Sequence, residues 1–315
     1  MALLFGRWKK LPDAPTAALT LSEVMRRVRR IDLRTRGLVG SRFSGEYHSV
    51  FKGQGLEFVE VREYLPGDDA RAIDWNVSAR MGSTFVKKFV EERELTVLLM
   101  VDFSGSQRFG TRGRMKSEMV PEAAATLAMS AIGNNDRVGM MVFTDGVEAF
   151  VRPQKGRRHV LRLIRDLLVY QPRGRGTDLA GAVEHAIRIL RSRSILFLVS
   201  DFQLTGDPTR FERVLAAAAA RHDVVPIVLS DPADFALPDV GVLRVMDPET
   251  GAVHDVDTGS DDARHGYPRD VAGERAGLTR LFRRLGMEAV ELRTDQPVSA
   301  AIISFFRRRE RRLRR

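Results

Sequence analysis

No cysteine occurs among the 315 residues, which excludes disulfides, thiolate metal sites and cysteine nucleophiles together and makes a reducing cytosol the expected setting. No window approaches the roughly 18 apolar residues of a membrane span. The amino-terminal "MALLFGRWKK" has too short an apolar patch, with its charges on the wrong side, for a signal peptide. The chain is therefore expected to be cytoplasmic and not membrane-spanning. Its six histidines show no H-x-x-x-H or comparable ligand spacing, which argues against a His-based zinc site. No G-x-x-x-x-G-K-[ST] is present, and "GRGTDL" lacks the lysine that would bind phosphates in that manner, so the chain is not expected to be a P-loop ATPase. Ser104 is followed by Gly105 but preceded by Phe103, so the G-x-S-x-G nucleophile elbow is missing too.

What is present describes a globular chain: 43% hydrophobic and 29% charged residues, with length for one large domain and a smaller one. The formal charge of +10 suggests nucleic acid until it is located. The final "RRRERRLRR" holds seven Arg and one Glu, a net +6, which leaves +4 for the other 306 residues. The basicity is thus a tail, residues 307–315, with weak contact to an anionic surface as its functional reading and a solvated, frayed helix end as its structural one; no specific nucleic-acid partner is expected. It follows "VSAAIISFF", whose Val298, Ile302, Ile303, Phe305 and Phe306 suit a final helix docked on the body, with cations at the end the dipole favours.

Three regions precede that tail. Residues 1–45 combine a polar, Pro-containing start with a basic helix, "LSEVMRRVRRIDLRTR", and a Gly-rich exit. Residues 46–93 mix Gly, aromatic and charged residues with short alternations such as "LEFVEVREY", a β-rich pattern. Over residues 94–310 the pattern is rhythmic: strand-like runs at 95–102, 138–144, 195–200, 224–229 and 287–292 alternate with helical windows near 114–132, 157–170, 178–192, 208–221 and 270–285. Such alternation predicts right-handed crossovers and a doubly wound, mostly parallel sheet covered on both faces. Two alternating segments around "DPETG", residues 239–259, read as an inserted hairpin. It is expected to be decoration or an edge extension of the sheet, and no site is placed there.

"LTVLLMVDFSGS" is the most informative stretch. Its apolar run reads as a strand buried on both faces, ending in Asp102, Ser104 and Ser106 where doubly wound sheets bind ligands. Oxygen-only, mostly neutral donors suit a hard cation such as Mg²⁺. Two further segments supply oxygens: "RGRGTDLAGAVEHAI" puts Thr177 in a Gly-rich loop opening a helix, and "SILFLVSDFQ" puts Asp201 at the end of another buried strand. Were those strands neighbours, Asp102 and Asp201 would leave adjacent carboxyl ends with the Thr177 loop above the same edge. Each alone also has an ordinary reading, Thr177 as a helix cap and Asp201 as an Asx-turn.

The order Asp-x-Ser-x-Ser, Gly-Thr-Asp loop, strand-terminal Asp resembles von Willebrand factor A domains with a metal-ion-dependent adhesion site, residue by residue at Asp102, Ser104, Ser106, Thr177 and Asp201. That resemblance implies Mg²⁺, or Mn²⁺, bound directly by the two Ser hydroxyls. Thr177 and the carboxylates would bind it directly or through water, leaving one position open for a partner's Glu or Asp. Upstream, "GQGLEFVEVREYLPGDDARAIDWNVSAR" resembles the signature of the bacterial domain of unknown function 58 family. The match is carried by Glu57, Arg62, Tyr64, Pro66, Gly67, Asp68, Arg71, Asp74, Trp75, Ala79 and Arg80. Family kinship implies association with MoxR-type AAA+ ATPases, hence an adaptor or co-chaperone role and no enzymatic activity of its own. Read from its residues alone, the same block is an ion-pair and hydrogen-bond network that braces the fold against the body, with a turn at "PGDD". A Mg²⁺-dependent hydrolase or phosphatase on the same acidic edge, or a metal-free scaffold, remain the alternatives.

Overall fold

The computed structural model describes residues 20–38, 47, 50–51, 57–90, 94–111, 113–204 and 206–313. The Pro-containing start, the Gly-rich exit of the first helix, the side chains of Glu57, Phe58 and Glu60, and the last two Arg of the tail lie outside them. The chain forms two compact units, Phe51–Leu95 and a larger one comprising Met1–Val50 with Thr96–Arg315.

The smaller unit pairs β1 (Glu57–Glu63) antiparallel with β2 (Phe85–Val90) around a short helix α2 (Trp75–Met81). Its charged residues are used locally. Arg62 donates a fork of two hydrogen bonds, 2.9 and 2.7 Å, to Asp68, which also accepts from the Leu65 amide. Asp69 caps a 3-10 turn, and Asp74 caps α2 through the Asn76 and Val77 amides. Gly67, at φ 110°, makes the turn that the "PGDD" string implies. Trp75 is 70% exposed.

The larger unit is built on a six-stranded sheet. Its strands are β3 (Thr96–Asp102), β4 (Arg137–Phe143), β5 (Val147–Gln154), β6 (Ile195–Ser200), β7 (Asp223–Ser230) and β10 (Val290–Arg293), in the order β10-β7-β6-β3-β4-β5. All pairs are parallel except β4 with β5. This is the doubly wound arrangement, with its switch point at β3. Strands β3 and β6 are buried on both faces, as a sheet covered twice requires. One face carries α3 (Lys116–Gly133) with α1 (Leu21–Leu38), α4 (Arg157–Val169) and α8 (Val298–Leu313) against it. The other carries α5 (Leu179–Ile189), α6 (Pro208–Arg221) and α7 (Tyr267–Arg284), whose Val183, Phe211, Leu215 and Phe282 pack on Leu98, Met100 and Phe143.

Three features differ from the sequence reading. The edge strand β5 is absent from the apolar pattern because it is half exposed and contains Pro153, which an edge strand tolerates. The hairpin β8 (Val242–Met246) and β9 (Val253–Asp257) does not extend the sheet; it is a separate two-stranded element with a small core of Leu243 and Val245. The tail remains helical through Leu313, because Val298, Ile302, Phe305 and Phe306 are buried and Arg309 pairs with Asp223 while lying over the Phe305 ring. Among the described residues, no helix is long and apolar enough to cross a membrane.

Candidate functional site

The register of the sheet decides the geometry of the site. Val101 pairs with Val199, so Asp102 and the Ser200–Asp201 step leave the carboxyl ends of neighbouring central strands. Asp102 is 1% exposed, with its carboxylate held on three sides: Oδ1 accepts from the Ser104 amide at 2.8 Å, and Oδ2 from Ser200 Oγ at 2.6 Å and more weakly from Gln107 Nε2 at 3.4 Å. Ser104 and Ser106 are buried with their hydroxyl oxygens 3.1 Å apart. Asp201 is followed by Phe202 at φ 56°, left-handed backbone that a bulky residue adopts only when its surroundings impose it. Here Ser200 Oγ accepts from the Phe202 amide, and the ring packs on Phe282 and Phe211.

Thr177 arrives on a third segment tied to the first by a hydrogen bond from the Gly105 amide to the Arg175 carbonyl, 2.8 Å. That loop is shaped by Glu148 on β5, which accepts from the Arg173 and Gly174 amides, Thr144 Oγ1 and Tyr170 OH. Gly174 has no room for a side chain, since a Cβ there would lie 2.4 Å from Thr144 Oγ1 and Asp145 Oδ1. Burial pushes the Glu148 carboxyl up, but its hydrogen bonds outweigh that and hold it at about 2. Asp178 then caps α5 through the Gly181 amide, 2.9 Å. A shallow cleft opens beside Thr177, lined by Leu204, Arg210 and Phe211 among others.

Three residues at this edge escape a reading of the sequence. Lys116, the first residue of α3, is fully buried with Nζ 3.2 Å from Asp201 Oδ2 and 2.9 Å from Asp234 Oδ2. Burial alone would lower its pKa, but the two carboxylates raise it, so the ammonium stays charged. Glu249, at the tip of the hairpin, accepts a hydrogen bond from Thr177 Oγ1 at 2.7 Å. Glu148 is the third. None has a local signal: each acts chiefly through groups distant in the chain, and a lone lysine or glutamate reads as surface.

The edge is acidic and short of compensation. Burial, and then the Asp201 charge, push Asp102 up to about 7. Burial likewise raises Glu249, with Asp201 adding to it. Among the described residues no three His, Asp or Glu side chains form a metal-binding cluster. A cation here would rest on the hydroxyls of Ser104, Ser106 and Thr177 with Asp102 and Asp201 beside them, an all-oxygen set that fits Mg²⁺ or Mn²⁺ and not a softer metal.

The comparisons with known proteins agree with the signature block. A family model described as "Protein of unknown function DUF58" matches residues 60–277. The chain is 33% identical over 287 residues to the uncharacterized protein Rv1480 of Mycobacterium tuberculosis, covering 90% of this chain and 89% of that protein. It is 28% identical over 134 residues to the uncharacterized protein YeaD of Bacillus subtilis, covering 42% of this chain and 30% of that one. Similar solved structures include the conserved hypothetical protein BatB from Bacteroides thetaiotaomicron, with 16% identity, a TM-score of 0.43, and coverage of 69% of this chain and 99% of that one. The SpRpn10 VWA domain aligns with 12% identity and a TM-score of 0.41, covering 67% and 94% of the two chains. With a family model spanning most of the sequence, and a mycobacterial relative matched along nearly its whole length, the chain belongs to the DUF58 family.

Proposed function

We propose that this chain is a protein-interaction module that grips a partner's carboxylate through Mg²⁺ or Mn²⁺ held at Asp102, Ser104, Ser106, Thr177 and Asp201. The observation that supports it best is the convergence of hydroxyls and buried carboxylates from three separate segments on one sheet edge. When bound, the cation supplies positive charge that few anionic ligands have neutralised, and so attracts an incoming carboxylate. The chain's own residues prepare the site. Ser200 and the Ser104 amide orient Asp102, Lys116 holds Asp201, and Glu148 shapes the loop that carries Thr177. The partner in this reading is a MoxR-type AAA+ ATPase, or a client protein offering an acidic residue, met in the cytoplasm. Calorimetric titration with Mg²⁺, and partner capture with and without a chelator, test it. Binding of both is expected to be lost in Ser104→Ala and Asp102→Ala, and undiminished binding in those variants would overturn the cation bridge.

Lys116 supports a second reading, a metal-free scaffold in which a buried ammonium serves as the resident cation of the edge. That reading expects no heat on Mg²⁺ titration even with partner present, and partner binding that survives a chelator.

A further inference from the structure

The hairpin tip sits on the site and not beside it. Gly105, inside the Asp-x-Ser-x-Ser loop, is so close to the turn that a Cβ there would lie 2.4 Å from the Pro248 carbonyl oxygen. The next residue, Glu249, takes the Thr177 hydroxyl hydrogen bond at 2.7 Å, and Asp201 is among the charges that act on it. Among the described residues it forms no ion pair. The turn that presents Glu249 is rigid. Asp247 accepts from the Glu249 amide at 2.9 Å and from Thr250 Oγ1 at 2.7 Å, and Gly251 at φ 75° closes it through a 2.8 Å bond to the Asp247 carbonyl. The rest of the hairpin packs on its own. Its core of Leu243 and Val245, with Leu237, Val256 and Tyr267 against it, is separate from the sheet's core, and Thr258 closes its base on Gly241. A carboxylate is thus delivered by a hydrogen-bonded turn, on a hairpin with a small core of its own, to a hydroxyl of the candidate cation site.

We propose that Glu249 is the chain's own occupant of the position a partner carboxylate takes: the hairpin closes the cation site in cis, and a partner gains access by displacing it. This rests on the cation reading above. It gives the open position a resident ligand, and makes affinity for a partner depend on how readily the arm leaves.

The test uses the full chain with Mg²⁺ and Mn²⁺ alone. In the wild type, Mg²⁺ slows amide exchange at residues 249–251. Glu249→Gln removes that protection, weakens cation binding about 10-fold, the loss typical of one supporting ligand, and raises the water-proton relaxation of bound Mn²⁺ because water replaces the carboxylate. Gly105→Ala, which forces the turn off by sterics and keeps the carboxylate, gives the same direction. If Glu249→Gln leaves affinity, exchange and relaxation unchanged while Ser104→Ala abolishes binding, the cation reading stands and the role of Glu249 is overturned. If the wild type binds neither ion, both fall.

Discussion

The small unit and the sheet edge are both dense in charge, yet they handle it in opposite ways. In the small unit three acids are answered within a few residues: Asp68 by Arg62 and the Leu65 amide, Asp69 by the Arg71 amide, Asp74 by the first amides of α2. Along the sheet edge, Asp102, Asp201, Asp234 and Glu249 come from four distant segments, and the only basic group bonded to any of them among the described residues is Lys116. Carboxylates satisfied by their chain neighbours hold a local shape, and the Arg62 and Leu65 hydrogen bonds hold Asp68 below its ordinary pKa. At the sheet edge burial pushes Asp102 and Glu249 up, with the Asp201 charge adding to both, and such an imbalance is what a cation can relieve.

Breaking the imbalance should cost most. Lys116→Met leaves the buried Asp201 and the half-buried Asp234 without their ammonium, and is expected to destabilise by about 3–5 kcal/mol in urea unfolding, the usual cost of orphaning a buried charge. If a divalent cation binds at this edge, added Mg²⁺ should return part of that loss. Next comes Glu148→Gln, which weakens four hydrogen bonds and is expected to cost about 1–3 kcal/mol. Its pH dependence identifies the cause. Because folding holds the Glu148 carboxyl at about 2, below its usual 4.5, its contribution is complete above the unfolded value. That contribution is lost as pH falls from about 4.5 towards 2. The difference in urea midpoint between wild type and Glu148→Gln should therefore shrink across that interval. In the small unit the effects should be smaller. Asp74→Ala removes an N-cap and should cost about 1 kcal/mol, whereas Arg62→Ala, at a half-exposed pair, should cost about 1 kcal/mol or less and fall further in high salt. A large Arg62 effect would overturn the view that the small unit's charges are merely local.

Much of this could be read along the chain. Five strands and five helices of the larger unit follow from apolar runs and periodicity, because each is buried on both faces or along one stripe. The run ending at Asp102 and the one ending at Ser200 are both entirely apolar where the sheet covers them. Strand β5 was not legible because a half-exposed edge strand with a proline carries no such run. The hairpin was legible as a hairpin, from "DPETG" between two alternations, but not as a neighbour of Gly105. Its tip reaches the site by a tertiary path that leaves no mark on the intervening residues.

The sequence by itself determined which residues could serve as oxygen donors, that two of them end buried strands, and that a signature block precedes them. Those are properties of local composition and periodicity, and they survive any arrangement of the elements. Only the tertiary structure decided that β3 and β6 are neighbours, that Lys116 lies between Asp201 and Asp234, that Glu148 holds the Thr177 loop, and that Glu249 meets Thr177. Charge compensation depends on distance in space. Side chains tens of residues apart share a field only once the sheet has set its strand order and the loops have closed on its edge.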